Sequence, residues 1–317
     1  LFDLIRTLSR QDIGLIYISH RLEEIFEIGD RVTVMRDGQY IATNAVCDLT
    51  RDDIIRMMVG RELKDEFPKE IMPVGAERLR VEGLARRGAF QDVSFSLRAG
   101  EIVGLTGLVG AGRTEVARAV FGADVIDAGT IALDGKPITV TSPRDAIRQG
   151  IGLLTEDRKG QGLVLGMTVR ENTTLANLKS LVRILFVDRR RERAAQHNRP
   201  HDCQTRNFVF HVYPSVLLLC KTPKWLFTQS KILIFDEPTR GIDVGAKVEI
   251  YKLMNELARR GACVLMISSE LPEVLGMCDR VLVMHEGRLA GELSRADATQ
   301  ERIMQLATGA ELAAAKA

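Results

Sequence analysis

Residues 231–245 read Lys-Ile-Leu-Ile-Phe-Asp-Glu-Pro-Thr-Arg-Gly-Ile-Asp-Val-Gly, and they constrain the fold more than any other stretch of the chain. Ile232 to Phe235 form a short apolar run of the kind that makes a buried strand, and the run ends abruptly in Asp236 and Glu237. Two adjacent carboxylates at the C-terminal end of such a strand are costly to desolvate unless they hold a cation or move a proton. In phosphoryl transfer one acid holds Mg²⁺, directly or through water, and the other orients or deprotonates the attacking water. A strand running into a polar turn is the simpler alternative for an isolated Asp-Glu pair. Here Pro238 and Gly241 mark a tight loop, and Asp243 follows it at a set distance.

Phosphate chemistry needs a cradle, and one lies upstream in altered form. Residues 101–106 read as a buried strand leading into Gly107-Leu108-Val109-Gly110-Ala111-Gly112-Arg113-Thr114, which opens a helix running to about Phe121. The spacing is that of a P-loop with Arg113 where lysine is expected. Glycines let backbone N–H groups approach phosphates, and the helix N-terminus adds partial positive charge. Thr114 is placed to ligate Mg²⁺. Arg113 keeps a positive charge, but its planar fork does not replace an ammonium freely. An ordinary glycine-rich strand-to-helix turn is the alternative for this motif alone.

The chain also repeats itself without gaps. Residues 1–60 shifted by 249 positions lie on 250–309, and from 18 to 38 the two copies agree at 10 of 21 positions. Asp30-Arg31-Val32 falls on Asp279-Arg280-Val281, His20 on Ser269, Thr50 on Thr299 and Gly60 on Gly309. A repeat this long means two copies of a domain, not a solenoid period. Residues 13–59 and 262–308 are therefore expected to share one strand-helix-strand-helix unit. The first copy has no P-loop or Asp-Glu strand of its own before it, so the chain reads as the C-terminal part of a longer tandem protein.

Composition excludes other classes. Lys plus Arg total 44 against 42 for Asp plus Glu, so nothing points to electrostatic capture of nucleic acid. No uninterrupted apolar run approaches the roughly 20 residues a membrane helix needs. The five cysteines have no regular spacing and include no Cys-x-x-Cys pair, which argues for reduced thiols and against a thiolate metal site.

The pattern is α/β throughout, with strands alternating with helices and a mostly parallel sheet carrying its ligand at the strand C-termini. Strands are expected at 13–19, 31–36, 79–83, 93–98, 102–106, 129–134, 151–154, 262–268 and 280–284. Helices are expected at 21–28, 50–59, about 246–260 and 271–277, with another from Ser142-Pro143 to Gln149. Thr50 and Ser142 serve as N-caps. The domain reading is 1–60 as the C-terminal part of a first domain, 61–78 as linker, 79–309 as a second domain and 310–317 as tail.

Together the P-loop, the Asp-Glu strand and Gly241-Ile242-Asp243 resemble an ABC-type P-loop ATPase. With Glu156-Asp157-Arg158-Lys159 and the tandem arrangement, the chain resembles the ATP-binding subunit of bacterial monosaccharide importers. Gly162-Leu163-Val164-Leu165-Gly166-Met167 and Ala298-Thr299-Gln300-Glu301 are most like the ribose branch. The resemblance implies ATP and Mg²⁺ as cofactors, with hydrolysis coupled to sugar import. It also implies transmembrane sugar permease subunits and, indirectly, a periplasmic sugar-binding protein as partners. Another ABC domain in a head-to-tail dimer and a place on the cytoplasmic face of the inner membrane follow from it as well.

By the same resemblance Gly107, Gly110, Gly112, Arg113 and Thr114 bind phosphates and Mg²⁺, and Asp236 holds Mg²⁺. Glu237 is the general base, Asp243 bridges to the opposite domain, and His20 stands at the switch position that contacts the γ-phosphate. Glu156 stands near a position where many such domains carry glutamine. Phe90 is either an adenine-stacking ring or a core residue. With Arg113 for lysine and Ser269 for histidine, the second domain's site is expected to bind nucleotide and hydrolyse it poorly.

The resemblance stops between His197 and Lys224. The family's glycine-rich signature, Leu-Ser-Gly-Gly, belongs there, yet residues 197–224 contain no Gly, Ala or Glu and hold three of the five His. A stretch translated in a shifted frame explains the abrupt edges; a divergent helical subdomain is the alternative. Two other classes stay open for the whole chain: a transporter remnant without function, and a soluble tandem ABC protein acting on ribosomes or DNA.

Overall fold

The computed structural model describes residues 1–19, 22–36, 38–59, 67–175, 182–183, 186–187, 230–242 and 244–309. His20, Asp243 and the segment 197–224 lie outside the described residues. The chain divides into two compact units, residues 1–66 with 242–249 and residues 67–241 with 250–317.

The first unit contains α1 (Phe2–Ser9), α2 (Leu22–Ile28), the hairpin β1 (Arg31–Arg36) and β2 (Gln39–Ala45), and α3 (Arg51–Val59). Val32 and Val34 alternate with exposed neighbours on β1, and their buried face packs with Leu22, Val46 and Ile54 into a small core. Thr50 caps α3 as expected: its hydroxyl accepts the Asp53 N–H at 3.2 Å, and the Asp53 carboxylate accepts the Thr50 N–H at 2.9 Å.

The strand expected at 13–19 does not form. These residues carry no strand pairing, and Ile16 and Ile18 are 95% and 92% exposed. Apolar alternation makes a segment competent for a strand, but the strand itself needs a hydrogen-bonded neighbour, and no described strand pairs with it.

The second unit opens with β3 (Glu77–Arg86), β4 (Phe90–Arg98), β5 (Ile102–Gly107), α4 (Arg113–Val120), β6 (Ala128–Leu133) and β7 (Lys136–Ile138). It continues through α5 (Pro143–Gln149), β8 (Ile151–Leu154), α6 (Val169–Thr174) and the short pair β9 (Val182–Arg183) and β10 (Phe186–Val187). Then come β11 (Ile232–Asp236), α7 (Val244–Arg259), of which residues 244–249 count with the first unit, β12 (Cys263–Ile267), α8 (Leu271–Met277), β13 (Arg280–His285), β14 (Arg288–Ser294) and α9 (Gln300–Ala307).

Six strands form the main sheet in the order β14-β13-β5-β12-β11-β8, parallel except for the edge strand β14. All five residues of β11 and of β12 are buried, and Ile232–Phe235 and Cys263–Ile267 accordingly read as unbroken apolar runs. Burying each Val, Leu, Ile, Phe or Met side chain among them contributes roughly 1.5–3 kcal/mol. A second sheet, antiparallel in the order β4-β3-β6-β7, was not anticipated from the sequence. Its β6–β7 hairpin turns through Asp134 and Gly135, both at positive φ (48° and 75°), as a two-residue hairpin turn requires.

Arg280 bonds both sheets' strands: its guanidinium pairs with Glu101 at 2.6 Å and Glu292 at 2.7 Å and also donates to the Ser96 C=O. The segment that leads into β3 is tied to the same unit. Lys69 pairs with Asp279 at 2.8 Å, the Phe67 ring packs at a 44° tilt against Tyr251, and Pro68 and Glu70 bond the Asn255 side chain.

The internal repeat is visible in the backbone. Arg31 pairs with Ala45 and Val34 with Ala42; 249 residues on, Arg280 pairs with Ser294 and Val283 with Gly291. Both hairpins carry a register break at the matching place, between Val34 and Met35 and between Val283 and Met284. α2 and α8 cover matching residues, and α3 and α9 start at matching residues. The first copy lacks the opening strand, and His20 cannot be compared with Ser269.

Candidate functional site

Strand register sets the site. Asp236 lies level with Ile267 on β12, and Ile267 lies level with Leu105 on β5. One step further along, Glu237, Ser268 and Thr106 therefore emerge together at the C-terminal edge of the sheet, where open α/β sheets bind ligands.

The glycine-rich loop turns there. Gly107, Gly110 and Gly112 have φ values of 149°, 81° and 93°, a region that other residues enter only with strain. A Cβ on Gly107 would stand 2.4 Å from the Met284 carbonyl oxygen, so close packing as well as conformation requires glycine there. Gly112 is the N-cap of α4, and Arg113 and Thr114 are its first two residues. The first-turn amides of this helix have no intrahelical acceptors and can bind an anion.

Thr114 donates its hydroxyl to Asp236 Oδ1 at 3.2 Å, joining the loop to the acidic strand. Burial is the main reason that the Asp236 carboxyl is pushed up from 3.8 to about 6; the nearby charges of Glu156 and Glu237 add to it, while Thr114 and Arg113 oppose it. Glu237 is raised above its ordinary value for the same first reason, against hydrogen bonds from Ser269 and the charge of Arg113. Glu237 also sits at φ 47°, in the left-handed region, with its N–H bonded to the Ile267 C=O at 3.0 Å. Such backbone costs of order 1–3 kcal/mol and persists only where surrounding bonds fix it.

Thr114 and Asp236 offer two hard oxygen donors side by side, a pairing that suits Mg²⁺ completed by water and phosphate oxygens. Among the described residues no group of three His, Cys, Asp or Glu gathers to hold a metal alone. The raised Asp236 carboxyl is that of a buried acid short of positive charge, which a divalent cation would supply.

Arg113 turns inward. Its Nη1 donates to the Ser268 C=O at 3.1 Å and stands 3.6 Å from Glu237 Oε1. Ser269 donates its hydroxyl to Glu237 Oε2 at 3.0 Å. Glu156 follows β8 and pairs with Arg240, in the loop after β11.

The structure thus brings together Gly107, Gly110, Gly112, Arg113, Thr114, Glu156, Asp236 and Glu237. His20 and Asp243 are outside the described residues. Phe90 is 3% exposed on β4, so of its two readings the core residue holds. Sequence reasoning passed over Thr106, Ser268, Thr239, Arg240 and Glu273. Thr106, Ser268 and Thr239 adjoin or nearly adjoin residues already singled out, and Ser268 and Glu273 also repeat Ser19 and Glu24 at the 249-residue offset; that offset was the signal that could have found them.

Comparison with known proteins agrees with this geometry. A family model described as ABC transporter matches residues 90–213. A putative ribose/galactose/methyl galactoside import ATP-binding protein of Rhizobium etli is 51% identical over 98% of this chain and 60% of its own length. The ribose import ATP-binding protein RbsA of Bacillus licheniformis is 49% identical over 98% of this chain and 64% of its own. The chain therefore spans about three fifths of the length of these curated relatives. A crystal structure of an ATP-binding cassette of an ABC transporter in its ADP conformation aligns with TM-score 0.59 at 23% identity, covering 75% of this chain and 97% of that one. A nucleotide-free ATP-binding cassette aligns with TM-score 0.58 at 20% identity, covering 73% and 98%. The chain has the fold of an ATP-binding cassette, and the part of it at residues 90–213 matches the ABC transporter family model.

Proposed function

We propose that this chain is part of the ATP-binding subunit of a bacterial monosaccharide importer, most like the ribose type, and that its described site binds Mg-ATP but hydrolyses it poorly. The observation that carries the reading is the 3.2 Å bond between Thr114, in the first turn after the glycine loop, and Asp236, at the end of the acidic strand. The names of the relatives, all import ATP-binding proteins, support the transport assignment.

In this reading the loop and first-turn amides of 107–114 bind the phosphates, and Thr114 and Asp236 hold Mg²⁺. The cation, when bound, would offset phosphate charge. Glu237 accepts the proton of water, Asp243 reaches an opposite ABC domain, and His20 serves the switch position of the first copy. Arg113 on Glu237 and serine at 269 both weaken the base: one oxygen faces a cation, the other accepts a hydroxyl. Residues 1–60 are read as the end of a first domain, 61–78 as linker, 79–309 as the second domain and 310–317 as tail. Transmembrane permease subunits, reached at the cytoplasmic face of the inner membrane, are the direct partners, and a periplasmic sugar-binding protein is an indirect one. Among the described residues no helix is long and apolar enough to cross a membrane.

Two measurements test this. An azido-ATP probe should label the full chain in a Mg²⁺-dependent way, and membranes carrying a ribose permease should retain the chain better than membranes without it. Absent labelling, or equal retention on both membranes, overturns the reading.

A further inference from the structure

Glu273 is a carboxylate with 1% exposure in the first turn of α8, beside the apolar residues Val274 and Met277. An aliphatic residue would serve this core position without desolvating a charge, and burying a carboxylate costs several kcal/mol unless hydrogen bonds replace its water. Two do. Glu273 Oε2 accepts the Thr239 hydroxyl at 2.6 Å and the Ser268 hydroxyl at 3.0 Å.

Those two hydroxyls belong to different loops, one after each of two neighbouring strands. Thr239 lies two residues beyond Glu237 in the loop after β11, and it is 1% exposed. Ser268 follows β12 and is fully buried; its hydroxyl also accepts the Glu270 N–H at 3.0 Å. The Ser268 carbonyl accepts the Thr106 hydroxyl and Arg113 Nη1, each at 3.1 Å. Ser269, next along, holds Glu237 at 3.0 Å. A single carboxylate oxygen therefore joins the loop that carries Glu237 to the loop that carries its partner Ser269. The second of these loops is bonded in turn to the strand and helix that flank the glycine-rich loop.

We propose that Glu273 is a positioning residue of the nucleotide site: it holds the loops after β11 and β12 in one frame, so that the strained Glu237 faces Ser269 and Asp236 faces Thr114. It touches no ligand; it acts through Thr239 and Ser268. The proposal rests on the Mg-nucleotide reading for its functional consequence, and on hydrogen bonds alone for its structural one.

The test uses the full chain and the variants Glu273→Ala, Glu273→Gln and Thr239→Val. Hydrogen exchange is read by mass spectrometry without ligand, and ATP affinity is measured in Mg²⁺ and in EDTA. Glu273→Ala should raise exchange in the segments around 236–241 and 267–271 and leave β5 and β13 protected. It should weaken Mg-ATP binding about tenfold or more, as misplaced site groups do, while affinity in EDTA changes less than about twofold. Glu273→Gln keeps an acceptor oxygen for both hydroxyls and should recover most of the loss; Thr239→Val should fall between. If Glu273→Ala loosens the whole sheet, or Mg²⁺ and EDTA affinities fall together, or Gln is no better than Ala, Glu273 is a structural core residue and the proposal fails. If the wild-type chain binds no nucleotide but the local exchange pattern appears, the positioning role stands and the nucleotide reading falls.

Discussion

Arg113 Nη1 stands 3.6 Å from Glu237 Oε1, with the two side chains only 10% and 7% exposed. The residue at the lysine position of the glycine loop is therefore a partner of the candidate base. A guanidinium is a fixed planar donor, here with Nη1 given to the Ser268 carbonyl at 3.1 Å, whereas a lysine ammonium is a compact charge on a flexible stem. Arg113→Lys alone should change steady phosphate release by less than about threefold, because serine still stands at 269. Arg113→Lys with Ser269→His should raise it about tenfold or more, the scale of restoring a group that meets transition-state charge. A colorimetric phosphate assay compares the two.

Asp236 makes stability depend on pH in a direction opposite to most paired carboxylates. Its carboxyl is raised from 3.8 to about 6 by burial, so the folded state binds its proton more tightly than the unfolded chain. The stabilising contribution is fully present below about pH 4 and is lost as pH rises through 6. The displacement corresponds to roughly 3 kcal/mol. Asp236→Asn, free of this dependence, should match wild type near pH 4 and exceed its unfolding free energy by up to that amount at pH 7.5. Denaturant curves at the two pH values decide it, and parallel behaviour of the two proteins contradicts it.

Arg280 and Glu101 form a buried pair, 14% and 5% exposed, at 2.6 Å. Glu101→Ala leaves the guanidinium without its most buried carboxylate partner and should cost about 3–5 kcal/mol, read from the urea midpoint. Replacing both, as Arg280→Met with Glu101→Leu, should cost much less than the single change.

The segment 197–224 lies outside the described residues, and its reading is tested at the level of DNA. Translation of the coding strand in the other two frames should give Leu-Ser-Gly-Gly across this stretch. Its absence from both frames means a divergent segment and ends the frameshift explanation.

Much of the main sheet was legible because its strands are buried on both faces: Ile232–Phe235 and Cys263–Ile267 read as unbroken apolar runs and pair in parallel. The hairpin register of the repeat followed from sequence identity at a single offset. The antiparallel sheet was not legible. Leu79, Val81 and Leu84 show which face is buried, but not that β3 pairs with β4 and β6. The strand at 13–19 failed for the complementary reason, since its pattern was sound and its pairing partner was missing from the described residues. Within the site, the glycines and acids were visible as motifs. The Arg113–Glu237 contact and the Glu273–Thr239 bond were not, because both join side chains more than thirty residues apart through rotamers that a sequence does not display.

The proposed site should bind Mg-ATP through Thr114 and Asp236 yet turn it over negligibly. This is tested by titrating the full chain with Mg-ATP in a calorimeter and measuring phosphate release from the same samples. Binding should be saturable and weak and should be lost when Thr114→Ala and Asp236→Asn are combined, with phosphate release equal in wild type and Glu237→Gln. Steady release by the wild type that Glu237→Gln abolishes would contradict it.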